Sequence, residues 1–287
     1  MFTKQQIRAL LLPLMAEQLL NALMGTVDTV MVTTVGSAAI SAVSLVDSIN
    51  VLALYLFAAL ATGGTILCSQ YLGRGQAKEA NAVGRQLIVA VTMLTLVVTA
   101  LCVALRGPLL HLVFGQVEPD VMDNALLYFL ITVLSYPFIA LYDAGAALFR
   151  SGGNSRLPMV LSMLSNLLNI AGNALFIFVF HLGVAGAALA TLLSRAFCAV
   201  TILFFLRLTR QVIVVRDYRS IRPDFPVIWR ILSVGVPTGV ENGMFQFARS
   251  PFSPPSPPWA PPPSPPRPSP PCWRVSPATP PWASGWA

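Results

Sequence analysis

Residues 45–71 read LVDSINVLALYLFAALATGGTILCSQY. From 51 to 69 no side chain is charged, and a run of that length is close to the ~20 residues a helix needs to cross a bilayer core. Asp47 lies at the edge of the run, a boundary position that asks for no functional explanation. Working outward, comparable apolar spans occupy 9–33, 87–105, 125–148, 158–180 and 184–206, and a seventh opens near 227 and runs through 247. Short connectors broken by Gly, Pro and Asn separate them, as at Ser151-Gly152-Gly153-Asn154. Soluble domains carry about 25% charged residues; here the charged share is 10%, the hydrophobic share 55% and mean hydropathy +0.71. The first span is not expected to be a cleaved leader, because it is too long and holds Glu17 and Asp28. The expectation is an all-α polytopic membrane protein: a six-helix transmembrane lobe followed by the start of a seventh helix.

The basic residues orient it. Lys4 and Arg8 precede span 1, Arg74, Lys78 and Arg85 follow span 2, Arg150 and Arg156 follow span 4, and six arginines from Arg207 to Arg230 lie between spans 6 and 7. The opposite connectors hold only Arg106. The positive-inside rule then places the N-terminus in the cytoplasm, which argues against a seven-helix receptor. The +7 net charge is thereby read as membrane orientation rather than nucleic-acid binding. The expected setting is the plasma (bacterial inner) membrane, with the lipid bilayer as partner and a monomeric chain.

Polar groups inside the spans are the functional candidates, since charge in mid-bilayer is costly. Asp28 lies in Gly25-Thr-Val-Asp28-Thr-Val-Met31. It is either a carboxyl bonded to a neighbouring helix or a carboxylate that exchanges H⁺ or holds Na⁺. Span 5 carries Asn166, Asn169 and Asn173 on one helical stripe. That stripe is either interhelical glue or a polar wall completing the Asp28 site, because amide oxygens coordinate cations. Tyr128 and Thr191 are weaker candidates; Glu17, Asp143, Arg195 and Glu241 are also intramembrane, and Asp143 or a glutamate is the expected counter-charge of Arg195. A repeat joins Pro13-Leu-Met-Ala-Glu17-Gln18 to Pro237-Thr-Gly-Val-Glu241-Asn242, six spans apart and equally oriented, as in parallel-repeat transporters. The four cysteines form no CxxC pair, His111 and His181 have no metal-like partner, and no glycine-rich phosphate loop is present. No enzymatic activity and no cofactor are expected.

These residues together resemble the MATE family, the multidrug and toxic compound extrusion transporters. The resemblance rests on Pro13 with Gln18, Val27-Asp28-Thr29-Val30-Met31, Gly63-Gly64 to Gly73-Arg74-Gly75, and Leu148-Phe-Arg150-Ser-Gly152-Gly-Asn154. It continues through Asn169-Ile-Ala-Gly-Asn173, Gly183-Val-Ala-Gly186 to Thr191, and Gly235-Val-Pro237-Thr-Gly-Val-Glu241. It implies twelve helices in two six-helix lobes and efflux of small cationic or amphipathic compounds by antiport with H⁺ or Na⁺. By resemblance, Asp28 is the coupling carboxylate of the N-terminal lobe, and Tyr128, Asn169, Asn173 and Thr191 line its site. Na⁺ at Asp28 is the one metal ion considered. Glu241, which matches an acidic position of span 7 in the family, is expected with Glu17 and Gln18 to form a substrate or second-lobe site.

Sixteen of the 24 prolines lie after Arg249. Reading each codon's third base with the next two converts Pro-Pro into Ala, Thr, Ser or Pro, Pro-Trp into an apolar residue and Trp-Ala into glycine. From Pro258 the shifted text reads as a membrane helix similar to the one following span 7 in the family. The expected organisation is an N-terminal lobe with its cytoplasmic connector at 1–226, the start of helix 7 at 227–249, and a Pro-rich, frameshifted, disordered tail at 250–287. Such a chain is expected to lack its second lobe and not to export by itself. Two alternatives are a lipid-linked precursor flippase of related architecture and a non-transporting membrane protein whose Pro-rich tail recruits partners.

Overall fold

The computed structural model describes Met15 and residues 17–20, 25, 27, 30–115, 118–208 and 224–249, with the side chains of 242, 243 and 245–249 left aside. Asp28 and the tail 250–287 lie outside the described residues, as do Pro13, most of the connector between spans 6 and 7, and the side chain of Asn242. The chain divides into a compact unit, Met1–Gln246, and a second, Phe247–Ala287, of which only the helical residues 247–249 are described.

The described residues of span 1 are helical up to a turn at Thr34 and Val35. Among the described residues eight α-helices follow: α1 (Ser37–Gly73), α2 (Ala77–Ala104), α3 (Arg106–Phe114), α4 (Pro119–Leu134), α5 (Tyr136–Ser151), α6 (Arg156–Asn173), α7 (Gly183–Leu208) and α8 (Phe225–Arg249). A π-helical turn, Ala174–Val179, extends α6. Among the described residues five stretches are long and apolar enough to cross a membrane: α1, α2, α4 with α5, α6 with its π-turn, and α7. The fold is therefore that of an all-α polytopic membrane protein. α8 is helical for 25 residues but falls outside that set by composition.

Four expectations need correction. Span 2 begins not at 45 but at Ser37, because Gly36, with φ 135°, supplies a break that the apolar pattern does not mark. Asp47 thus sits inside a helix rather than at its edge. Span 4 is two helices, not one: Pro137 has no N–H to continue the ladder, and the chain breaks at Ser135. The freed Val133 carbonyl lies 3.5 Å from the Thr99 hydroxyl of α2. The connector between spans 3 and 4 folds as α3, whose Leu112 and Val113 are exposed.

Packing runs inside-out relative to a soluble protein. Leu52, Val97, Leu101, Leu167, Val200 and Phe204 are exposed, as lipid contact allows, while small residues fill the helix interfaces. At Gly63 an added Cβ would stand 2.6 Å from the Ile231 carbonyl oxygen, and at Gly235 one would stand 2.8 Å from that of Ala59. Glycine at both positions lets the α1 and α8 backbones touch. Arg230 of α8 donates to the Tyr71 hydroxyl at 2.9 Å.

Candidate functional site

The asparagine stripe faces inward. Asn169 and Asn173 are buried, whereas Asn166, one turn earlier, is half-buried. Asn173 Nδ2 donates to Asn169 Oδ1 at 3.1 Å, Asn169 Nδ2 donates to Thr191 Oγ1 at 3.2 Å, and Thr191 Oγ1 donates to the Ala187 carbonyl at 3.0 Å. The result is a directional file crossing from α6 to α7. The two helices meet closely there: a Cβ on Gly172 would stand 2.9 Å from the Ala190 Cβ. Just past Asn173 the helix widens into its π-turn, a distortion frequent at functional sites.

Asn173 and Thr191 open onto a cavity of about 140 Å³, also lined by Gly25, Val32, Ile40, Val43, Ser44, Asp47, Tyr128 and Ala187. Of the residues expected at the site, Tyr128, Asn173 and Thr191 line this cavity and Asn169 stands behind the wall. Asp28 lies outside the described residues; Gly25 and Val32 of the same span line the cavity.

Asp47 is the residue that sequence reasoning missed. It is exposed to the cavity, and its Oδ1 accepts from Asn50 Nδ2 at 3.1 Å and from the Tyr128 hydroxyl at 3.4 Å. Asn50 is fixed in turn by the Tyr136 hydroxyl, which donates to its Oδ1 at 2.8 Å. One signal for this was present: Asp47 and Asn50 are three apart in an apolar run and so share a helix face.

The other charged candidates lie elsewhere. Glu17 is buried and ion-paired to Arg150, whose Nη2 lies 2.8 and 2.9 Å from its two carboxylate oxygens. Gln18 and Glu241 are exposed, and neither lines the cavity. Arg195 forms no ion pair with Asp143 or a glutamate among the described residues. It donates instead to Ser135 Oγ at 2.7 Å, at the break in span 4. Asp143 and Asp47 both lie within its electrostatic reach. Among the described residues no His, Cys, Asp and Glu cluster suited to a metal ion occurs. Cys68 and Cys198 are buried free thiols.

Fold and cavity define a multi-pass membrane protein in which Asp47, Tyr128, Asn173 and Thr191 share one interior space. Known proteins place it further. The MatE family model matches residues 13–175, more than half of the chain. The chain is 30% identical over 239 residues to the uncharacterized transporter YisQ of Bacillus subtilis, covering 80% of this chain and 51% of that protein. It is 27% identical over 246 residues to the probable multidrug resistance protein NorM of Thermotoga maritima, covering 84% and 52%. Its fold is similar to that of a MOP-superfamily transporter from Pyrococcus furiosus, with TM-score 0.78, 22% identity, and 85% of this chain against 53% of that one. The chain belongs to the MATE family of transporters, and it spans about half the length of these relatives.

Proposed function

We propose that the chain is the N-terminal lobe of a secondary active exporter that moves small cationic or amphipathic compounds out across the plasma membrane in exchange for H⁺ or Na⁺. The observation that carries this reading is the file from Asn173 through Asn169 to Thr191, ending on a cavity shared with Tyr128. Amide and hydroxyl oxygens there hold a small cation or a protonated carboxyl, and Asp28, three to four residues from the cavity-lining Gly25 and Val32, supplies the charge that the ion neutralises. The similarity to proteins described as multidrug resistance and multidrug export proteins supports the substrate class. Among the described residues no basic side chain lines the cavity, which favours a cationic substrate over an anionic lipid-linked precursor.

Alternating access works by rocking two lobes about a central site, so coupled export is assigned to a two-lobe protein. The tail at 250–287 is assigned to a shifted reading frame, which resequencing the DNA across codons 245 to 260 tests directly. The transport reading is tested in vesicles holding the frame-restored protein. Efflux of a cationic dye should require a H⁺ or Na⁺ gradient and should fall to background in Asp28→Asn. Gradient-independent efflux, or an unimpaired Asp28→Asn, overturns it.

A further inference from the structure

The cavity contains a carboxylate that the coupling reading leaves unused. Asp47 is locked from one side only: Asn50 and Tyr128 both point their hydrogens at Oδ1, and Tyr136, packed edge-on against Phe57 at 5.6 Å between ring centroids, fixes Asn50. Oδ2 accepts no hydrogen bond among the described residues, and the side chain opens onto the cavity. Arg195 lies within electrostatic reach but is anchored on Ser135, and the sole ion pair among the described residues is Arg150 with Glu17. No contacting cation therefore neutralises Asp47 there.

We propose that Asp47 receives, through Oδ2, the ammonium head group of a small organic cation, forming a substrate subsite separate from the amide file. This rests on the export reading above and names the residue that recognises the substrate. Three features select an ammonium. A metal ion needs several oxygens converging on it, whereas the polar neighbours of Asp47 present hydrogens to the carboxylate. An N–H donor instead gains a charge-assisted hydrogen bond from a single free oxygen. Ser44, Asn173 and Thr191 share the space, and between these polar groups the wall is apolar, from Val32, Ile40, Val43 and Ala187, which suits a short hydrocarbon body. The space of about 140 Å³ is smaller than the roughly 300–1,000 Å³ of drug-sized pockets, so it admits a head group and a short chain.

The test titrates n-butylammonium chloride into the purified full-length chain in detergent micelles by calorimetry, with ²²Na⁺ binding measured beside it. Asp47→Asn should weaken n-butylammonium binding roughly tenfold or more and leave ²²Na⁺ binding intact, while Asp47→Glu retains both. Asp28→Asn should do the reverse. Loss of n-butylammonium binding in Asp28→Asn but not in Asp47→Asn overturns the subsite and leaves the coupling reading standing. Unchanged ²²Na⁺ binding in Asp28→Asn, with n-butylammonium binding lost in Asp47→Asn, supports the subsite and counts against Na⁺ coupling. Absence of saturable n-butylammonium binding in the wild type overturns the subsite. A measurement on the wild type alone does not depend on how the variants fold. Carbodiimide labelling of Asp47, read by peptide mass spectrometry, should slow when n-butylammonium is added, and an unchanged rate overturns the proposal.

Discussion

Severing the Glu17–Arg150 pair should destabilise the chain unequally from its two sides. The Glu17 side chain is 6% exposed and that of Arg150 is 31% exposed, and the Arg150 Nε is buried without a hydrogen-bond partner among the described residues. Two scales compete for the magnitude. Removing one partner of a buried pair costs about 3–5 kcal/mol, whereas hydrogen bonds between membrane helices average about 0.6 kcal/mol. Glu17→Gln strands a guanidinium that is partly exposed and that Asp143 still attracts. Its loss should therefore lie between the scales, about 1–2 kcal/mol. Arg150→Gln strands the more deeply buried carboxylate and should lose about 2–4 kcal/mol. The double glutamine variant removes both charges and should be more stable than Arg150→Gln alone. Thermal unfolding in micelles, with Cys102 and Cys272 replaced by serine and followed with a thiol-reactive dye that reaches the buried Cys68 and Cys198 only on opening, measures all three. At roughly 2–4 °C per kcal/mol, the single variants should separate by several degrees. Equal losses, or a double variant that sums the singles, would refute the reasoning.

Other expectations follow from the same geometry. Gly63→Ile places carbon against the Ile231 carbonyl and should cost about 1–3 kcal/mol, seen as faster hydrogen exchange through α8. Asn169→Leu removes both the acceptor of Asn173 and a donor to Thr191. It should lower stability by about 1–2 kcal/mol and reduce ²²Na⁺ binding; unaltered Na⁺ binding would make the file structural only. In a cysteine-free background, exposed Lys78→Cys should react with a membrane-impermeant maleimide from the cytoplasmic side and Glu118→Cys from the opposite side. The converse pattern would invert the orientation.

The membrane class and the positions of the long helices were legible because lipid imposes length and apolarity on each span separately. The inward turn of Asn169 and Asn173 was legible for a similar reason, since helical period fixes which residues share a face. Their directional bonding to Thr191 was not, because it depends on where α7 docks against α6. The break at Ser135 was announced locally by Pro137, yet whether a proline kinks a span or only bends it depends on partners such as Thr99 and Arg195 that lie far away in sequence.

Asp47 marks the limit most clearly. Read along the chain, it was the edge of an apolar run; in the bundle it is held by Tyr128, 81 residues away, and faces the same cavity as Asn173 and Thr191. Sequence alone determined that this chain lives in a bilayer and that Asn169 and Asn173 turn inward, because hydrophobicity and period are local properties. Which polar residues share one space was decided only by the packing of the helices, because the distance between side chains on different spans is written in no single stretch of the chain.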